Sequence, residues 1–174
     1  MYFIDEVGMK AQDQIGTSCA PQGDTSVLEV PKTHIEQDVI SSVAPDGELF
    51  YSPFPGTMMA PKFITFWSRW WPKPRRTSWC LPIATPLMRP KRFEQWLAGR
   101  TGAIELHGLP RGAPAYNPDK FLNTDLKQEL ANEPMLASTS EMRDTIGTIL
   151  DRIASMSDQI RGYFKQAEID LALN

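Results

Sequence analysis

Residues 138–167, STSEMRDTIGTILDRIASMSDQIRGYFKQA, carry the most regular pattern in the 174-residue chain. Apolar side chains recur there at alternating spacings of four and three, the heptad spacing of a helix that packs along one seam. Ser138 and Glu141 have capping-box spacing, which places the helix start just after Ser138. The pattern predicts one long helix over about 139–169. Its seam contains Met142, Ile146, Ile149, Ile153, Met156, Ile160 and Tyr163, with Leu150 and Phe164 beside it.

This stripe is wider than a two-stranded zipper buries, so we expect three or more helices to meet along it. Asn117-Pro118-Asp119 is a helix start, and Leu122, Leu126 and Leu130 form an apolar stripe after it. A second helix is therefore predicted over about 118–132. Two arrangements stay open: this helix folds back onto the seam within one chain, or copies of the chain associate through the seam as a coiled coil.

Proline punctuates the rest of the chain, with fifteen among 174 residues. Each proline removes a backbone donor and disfavours helix at the residue before it, so long regular elements are not expected before residue 118. Short helices are predicted over 34–43 and 91–99, and short strands over 26–30, 49–51 and 103–106. The predicted fold class is mainly α in the C-terminal third, with N-terminal two thirds that are extended or irregular.

Charge divides the chain into three segments. Residues 1–61 hold nine acidic residues against two lysines, and are predicted to form an acidic extended arm. Residues 62–116 form a basic, aromatic, proline-rich interface block: up to residue 100 it holds nine basic residues and one acidic, Glu94. Residues 117–174 form the helical segment. Such asymmetry indicates that the arm folds onto the block or that each faces an oppositely charged partner.

The block interleaves tryptophan with arginine and lysine, and this pattern supports three interpretations. Bases of single-stranded nucleic acid stack on such rings, and anionic membrane surfaces attract such clusters. The same residues also suit an aromatic core or subunit interface rimmed by charge. We favour the interface because Pro72 and Pro74 end any helix there and no nucleic-acid-binding motif frames the block. The candidate partner-binding residues are Trp67, Arg69, Trp70, Trp71, Lys73, Arg75, Arg76 and Trp79.

Catalytic signatures are absent from the sequence: it has no P-loop, dinucleotide-binding, nucleophile-elbow or zincin motif. Two cysteines and two histidines give no metal-ligand spacing. The acidic pair Asp5-Glu6 is suggestive, but the acids of the C-terminal helices, Asp119 among them, are predicted to lie on solvated faces. We therefore predict no enzymatic activity, catalytic residue, cofactor or metal site.

The start of the chain has no basic region followed by an apolar run, so no secretory signal is expected. Nor is any apolar stretch long enough for a membrane span. These features predict an intracellular or particle-associated protein. The leading hypothesis is a non-enzymatic structural or adaptor subunit of a larger assembly, such as a virion or molecular machine, with protein partners as a homo-oligomer or hetero-assembly. The alternatives are a single-stranded nucleic-acid-binding protein using the block and a peripheral membrane protein.

Overall fold

The computed structural model describes residues 1–11, 35–56, 58–70, 78–82, 91–99, 104–106 and 116–165. Within them, strands lead the chain and helices close it. The strands are β1 (Tyr2–Lys10), β2 (Glu36–Val43), β3 (Leu49–Phe54), β4 (Ser78–Pro82) and β5 (Ile104–Leu106). The helices are α1 (Ala60–Trp70), α2 (Lys91–Ala98), α3 (Asp119–Asn132), α4 (Thr139–Ala154) and α5 (Ser157–Tyr163).

The strands form one sheet in the order β3-β2-β1-β4-β5. β1 pairs antiparallel with β2, and β2 with β3, whereas β4 runs parallel to both β1 and β5. The β2–β3 turn needs Gly47, whose φ is 90°. A Cβ at this position would also lie 2.8 Å from Ser157, so the glycine lets the turn approach α5.

Helices cover both faces of the sheet because β1 alternates its side chains between two cores. Phe3, Val7 and Met9 belong to the larger core, which α3, α4 and α5 fill from one side. Ile4 belongs to the smaller core on the other side, together with Phe63 and Trp67 of α1. Among the described residues, no helix is both long and apolar enough to span a membrane.

The predicted fold class is wrong, because the first 54 residues supply three paired strands where extended or irregular chain was predicted. The acidic pair Asp5-Glu6 interrupts the apolar alternation of β1, and pairing with β2 and β4 supplies the order that a short isolated strand lacks. The helix predicted over 34–43 is also wrong. It is strand β2, whose Val39 and Val43 pack on one face of the sheet and whose Ile40 packs on the other.

The helices over 118–132 and 91–99 are present as α3 and α2, and β5 lies within the strand predicted over 103–106. The single long helix is wrong: α4 stops at Ala154, and α5 begins at Ser157. Ser155 interrupts it because its hydroxyl donates to the Arg152 carbonyl at 2.6 Å. Residues 166–169 lie outside the described residues, as does the strand predicted over 26–30.

The predicted coiled coil is likewise wrong, because the seam is used within the chain. Its residues pack against β1, β2, β3 and α3 in the larger core. A sheet and a helix together cover the wide stripe that three helices were expected to bury.

Candidate functional site around Asp5

Asp5 is a buried acid in the middle of β1, only 8% exposed. It lies between Phe3 and Val7, so the alternation of the strand directs its side chain toward α3. A buried carboxylate requires compensating partners. Asp5 Oδ2 lies 2.7 Å from Nζ of Lys120 and accepts a hydrogen bond from Asn123 Nδ2 at 2.9 Å. Both partners come from α3, one helical turn apart.

Asn117 holds the start of α3 against β1. Its Nδ2 donates to the Ile4 carbonyl at 3.1 Å, and its Oδ1 accepts from the Asp119 backbone N–H at 3.1 Å. Asn117 is fully buried, so both bonds lie out of water. This connection fixes which turn of α3 faces Asp5.

Asp119 is a second acid beside Asp5, and it too is fully buried. Its Oδ1 accepts a 2.7 Å hydrogen bond from Ser41 Oγ on β2, and its Oδ2 has no hydrogen-bond partner. Burial raises the pKa of Asp119 well above its usual value, and the nearby Asp5 raises it further, against the lowering effect of the Ser41 hydrogen bond. The prediction that Asp119 lies on a solvated face is therefore wrong.

Glu6 and Asp38 form a separate acidic pair on the opposite face of the sheet, the face of Ile4 and Ile40. Burial raises the pKa of both carboxyls; Asp38 adds to the effect on Glu6, and Glu36 to that on Asp38. The sheet separates this pair from Asp5. Among the described residues, no group of three or more Asp, Glu, His or Cys side chains is placed to hold a metal ion.

A cavity of about 540 Å³ opens between β3, α1 and α4. Its wall includes Arg69, Arg143, Asp144 and Asp151, so both signs of charge are represented. The Tyr51 hydroxyl donates a hydrogen bond to Asp151 Oδ1 at 2.5 Å. Burial is the main cause that raises the pKa of the phenol, and this hydrogen bond is the second. The balanced lining gives no selective anion or cation site.

A family model described as DDE superfamily endonuclease matches residues 1–143, most of the chain. The match includes all five strands and the Asp5 cluster. The chain belongs to the DDE superfamily of endonucleases. No curated protein matches this DDE-family chain.

Solved structures of Mos1 transposase have a similar fold. "Crystal structure of a pre-cleavage Mos1 transpososome" matches with a TM-score of 0.61, 12% identity, and coverage of 95% of this chain and 56% of that one. "Mos1 transposase paired-end complex with left transposon end" matches with a TM-score of 0.59, 11% identity, and coverage of 92% and 54%. The DDE-family chain thus spans little more than half the length of these transposase chains.

Family membership overturns two predictions: that the protein is a structural or adaptor subunit, and that it belongs to no enzyme class. DDE-family proteins are enzymes that cut and join DNA. The prediction of no enzymatic activity failed because it relied on catalytic motifs whose residues are close together in the sequence. The polar cluster instead joins Asp5 to Asn123, 118 positions away. The virion-component prediction is also wrong.

The structure separates the predicted partner-binding residues of the block. Trp67 is 6% exposed in the smaller core, and Trp70 stacks on Phe50 with ring centroids 4.7 Å apart. Arg69 is exposed and lies 5.5 Å from the Trp70 ring centroid. Trp79 is on β4, of which only the backbone is described. Trp71, Lys73, Arg75 and Arg76 lie outside the described residues.

The structure buries nearly all of the predicted self-association residues in the larger core. Only Met156 is exposed, at 44%, at the break between α4 and α5. The buried members are Met142, Ile146, Ile149, Leu150, Ile153, Ile160, Tyr163 and Phe164.

Sequence reasoning missed the Asp5 cluster as a site, although two signals existed. One was an acidic pair inside an apolar run, Phe3-Ile4-Asp5-Glu6-Val7, which is unusual for an exposed arm. The other was Asn117-Pro118-Asp119, interpreted only as a helix start. Nothing in the sequence pairs these two segments, because β1 and α3 meet only in the folded chain.

Proposed function

We propose that this chain is the DDE-fold domain of a transposase-type protein and that it binds duplex DNA through its basic block. The observation that carries the proposal is the family match over residues 1–143, supported by the likeness to Mos1 transposase structures. Those structures are a Mos1 paired-end complex with a transposon end and a Mos1 transpososome. We extend the DNA partner, and assembly of several copies on it, to this chain.

Charge supports the block as the DNA-binding surface. Residues 62–100 hold nine basic residues against Glu94, and phosphate contacts by lysine and arginine supply most of non-specific DNA affinity. Arg69 on α1 and Lys91 on α2 are exposed, and these two helices pack together. We propose that these two cations contact phosphates, together with Lys73, Arg75 and Arg76.

Duplex DNA is favoured over single strands because the two tryptophan rings of the block whose side chains the structure describes are already engaged. Trp67 is buried, and Trp70 is covered on one side by Phe50. A stacking platform needs open aromatic faces. Phosphate contacts need only exposed cations, which Arg69 and Lys91 provide.

A divalent cation beside Asp5 does not fit the described residues. One Mos1 structure is titled "Crystal structure of the Mos1 mariner paired end complex with Mn", which names manganese for that protein. In this chain Asp5 is instead paired with Lys120, and no three metal-ligating side chains converge among the described residues. The Asp5 cluster therefore enters this proposal as part of the fold, and DNA binding is assigned to the basic block.

The test of DNA binding is fluorescence anisotropy with a labelled duplex and a labelled single strand, in EDTA, between 50 and 200 mM salt. The double variant Arg69→Gln/Lys91→Gln is expected to weaken duplex binding and to lower the slope of log K against log salt by about 0.9 per phosphate contact removed. Loss of affinity with rising salt should be steep for the unmodified chain.

The matched control is Arg161→Gln, an exposed arginine on α5 that pairs with Asp158. This variant should bind like the unmodified chain. Absence of duplex binding at 50 mM salt, or an equal effect of the control, would overturn the proposal. Tighter binding to the single strand would instead support the stacking interpretation.

A further inference from the structure

The strand beside Asp5 brings no second acid to it. β4 runs parallel to β1, with Ile4 level with Pro82, so Asp5 lies just past the end of β4. Carboxylates that share a metal must both lie within about 2.6 Å of it, so a second acid would have to come from the end of β4 or the chain just after it. Residues 49–93 contain no acidic residue, so neither β4 nor the chain following it offers one.

Two acids occur between residues 49 and 118, and neither lies near Asp5. Glu94 is exposed on α2, which packs with α1 on the opposite face of the sheet. Glu105 is on β5, level with Trp79. The registers put Trp79 level with Met1, so Glu105 is two strands away and about 13 Å along the sheet from Asp5.

The acid contributed by α3 is not available to a hydrated cation. Asp119 is fully buried and directed at Ser41, where its Oδ1 is already bonded. Magnesium and similar cations usually keep several waters and contact substrate phosphate, which needs an accessible carboxylate. Asp119 has no exposed surface to offer.

Lys120 is the α3 side chain that reaches Asp5 from the accessible side. Its side chain is 42% exposed, that of Asp5 is 6% exposed, and Nζ lies 2.7 Å from Asp5 Oδ2. The ammonium therefore neutralises the buried carboxylate from the solvent side. A divalent cation there would meet a positive charge within a few ångströms and would have to displace it.

The family is one of endonucleases, and paired divalent cations are a common means by which nucleases cut phosphodiesters. We infer that in this chain the Lys120 ammonium takes the place of the divalent cation beside Asp5, so that the Asp5 cluster is a closed structural ion pair. Asp5 then holds α3 onto the sheet, with Asn123 as its second partner.

The experiment measures Mn²⁺ binding to the full chain by the loss of the free-ion electron paramagnetic resonance signal, without DNA. The unmodified chain and Asp5→Asn should bind Mn²⁺ equally weakly. Lys120→Glu should gain one Mn²⁺ site per chain, about tenfold tighter or more, because a second carboxylate replaces the ammonium. Adding Asp5→Asn to Lys120→Glu should abolish that gain.

Lys127→Glu is the matched control, since Lys127 is an exposed lysine on the same helix. Mn²⁺ binding by the unmodified chain that Asp5→Asn removes would overturn the inference. So would a folded Lys120→Glu variant that binds no more Mn²⁺ than Lys127→Glu.

Lys120→Gln covers the case in which Lys120→Glu does not fold. At a Mn²⁺ concentration ten times the Kd of the Lys120→Gln variant, the melting temperature of that variant should rise by roughly 3 to 6 °C. The melting temperature of the unmodified chain should not change at the same Mn²⁺ concentration. Equal responses of the two proteins would overturn the inference. Because no DNA is present, these results do not depend on whether the chain binds DNA.

Discussion

At the scale of single residues, Asp119 shows how burial sets the chemistry of the site. Its Oδ1 accepts a hydrogen bond from the Ser41 hydroxyl, its Oδ2 has no hydrogen-bond partner, and the Asp5 backbone N–H also favours its charged form. Ionisation there requires a charge to be kept out of water beside Asp5, whereas the neutral acid retains the Ser41 hydrogen bond. The folded chain therefore holds this proton at pH values where the unfolded chain has lost it.

The free energy of unfolding is expected to fall as pH rises from about 4 toward the raised pKa of Asp119, because the folded state binds more protons than the unfolded state in that window. Glu6 and Asp38 contribute in the same direction. Asp119→Asn keeps an acceptor for Ser41 and removes the titration, so its stability should depend less on pH.

Urea unfolding between pH 4 and pH 7.5 measures this difference. Lys120 and Asp5 face the same region and stay in both proteins, so the comparison isolates Asp119. Parallel pH profiles for the two proteins would show that Asp119 is ionised in the folded chain.

At the scale of elements, the seam of α4 is a core stripe rather than a contact between copies. Ile146 has no exposed surface and packs in the cluster that also contains Phe3, Val39 and Leu126. The burial of this face against the sheet stabilises α4 more than its capping box does, although the Ser138 hydroxyl accepts from the Glu141 N–H as expected.

Ile146→Ala is expected to lower the free energy of unfolding by about 2 to 5 kcal/mol, as large-to-small changes in packed cores do. Asp144→Ala, on the exposed side of the same helix, should stay within about 0.5 kcal/mol. Urea unfolding at two protein concentrations checks both. A midpoint that shifts with concentration would indicate that the seam joins separate chains.

At the scale of the whole molecule, the buried seam stabilises the fold of one chain and is not available to join copies of the chain. An exposed heptad stripe would drive association of the free chain, but all of its members except Met156 are packed inside. Any assembly of copies on DNA must therefore use another surface.

Light scattering coupled to size exclusion is expected to give a mass near 19.6 kDa for the free chain and a multiple of protein mass when duplex DNA is added. The buried seam is the reason for the first value, and the proposed assembly on DNA for the second. A stable oligomer without DNA would contradict the first expectation. One copy per duplex at saturating protein would contradict the second.

The sequence by itself determined the local elements with strong periodicity or capping: α3, the start of α4, and α2. The spacing of residues three or four apart predicts a helix directly, because the hydrogen bonds and side-chain contacts of a helix join residues at that separation. The sequence also determined the basic character of residues 62–100, because the number of charged residues follows from composition alone.

Only the tertiary structure decided that Tyr2–Lys10, Glu36–Val43 and Leu49–Phe54 pair as strands of one sheet and that Asp5 meets Lys120. Strand pairing joins distant segments, so β1 gains its partners from residues 36–43 and 78–82. The Asp5 cluster is more distant still, because α3 lies more than 100 residues further along the chain. The apolar pattern of the seam is compatible with a coiled coil between chains and with a core within one chain. The sheet, which packs against the seam, makes it part of the core.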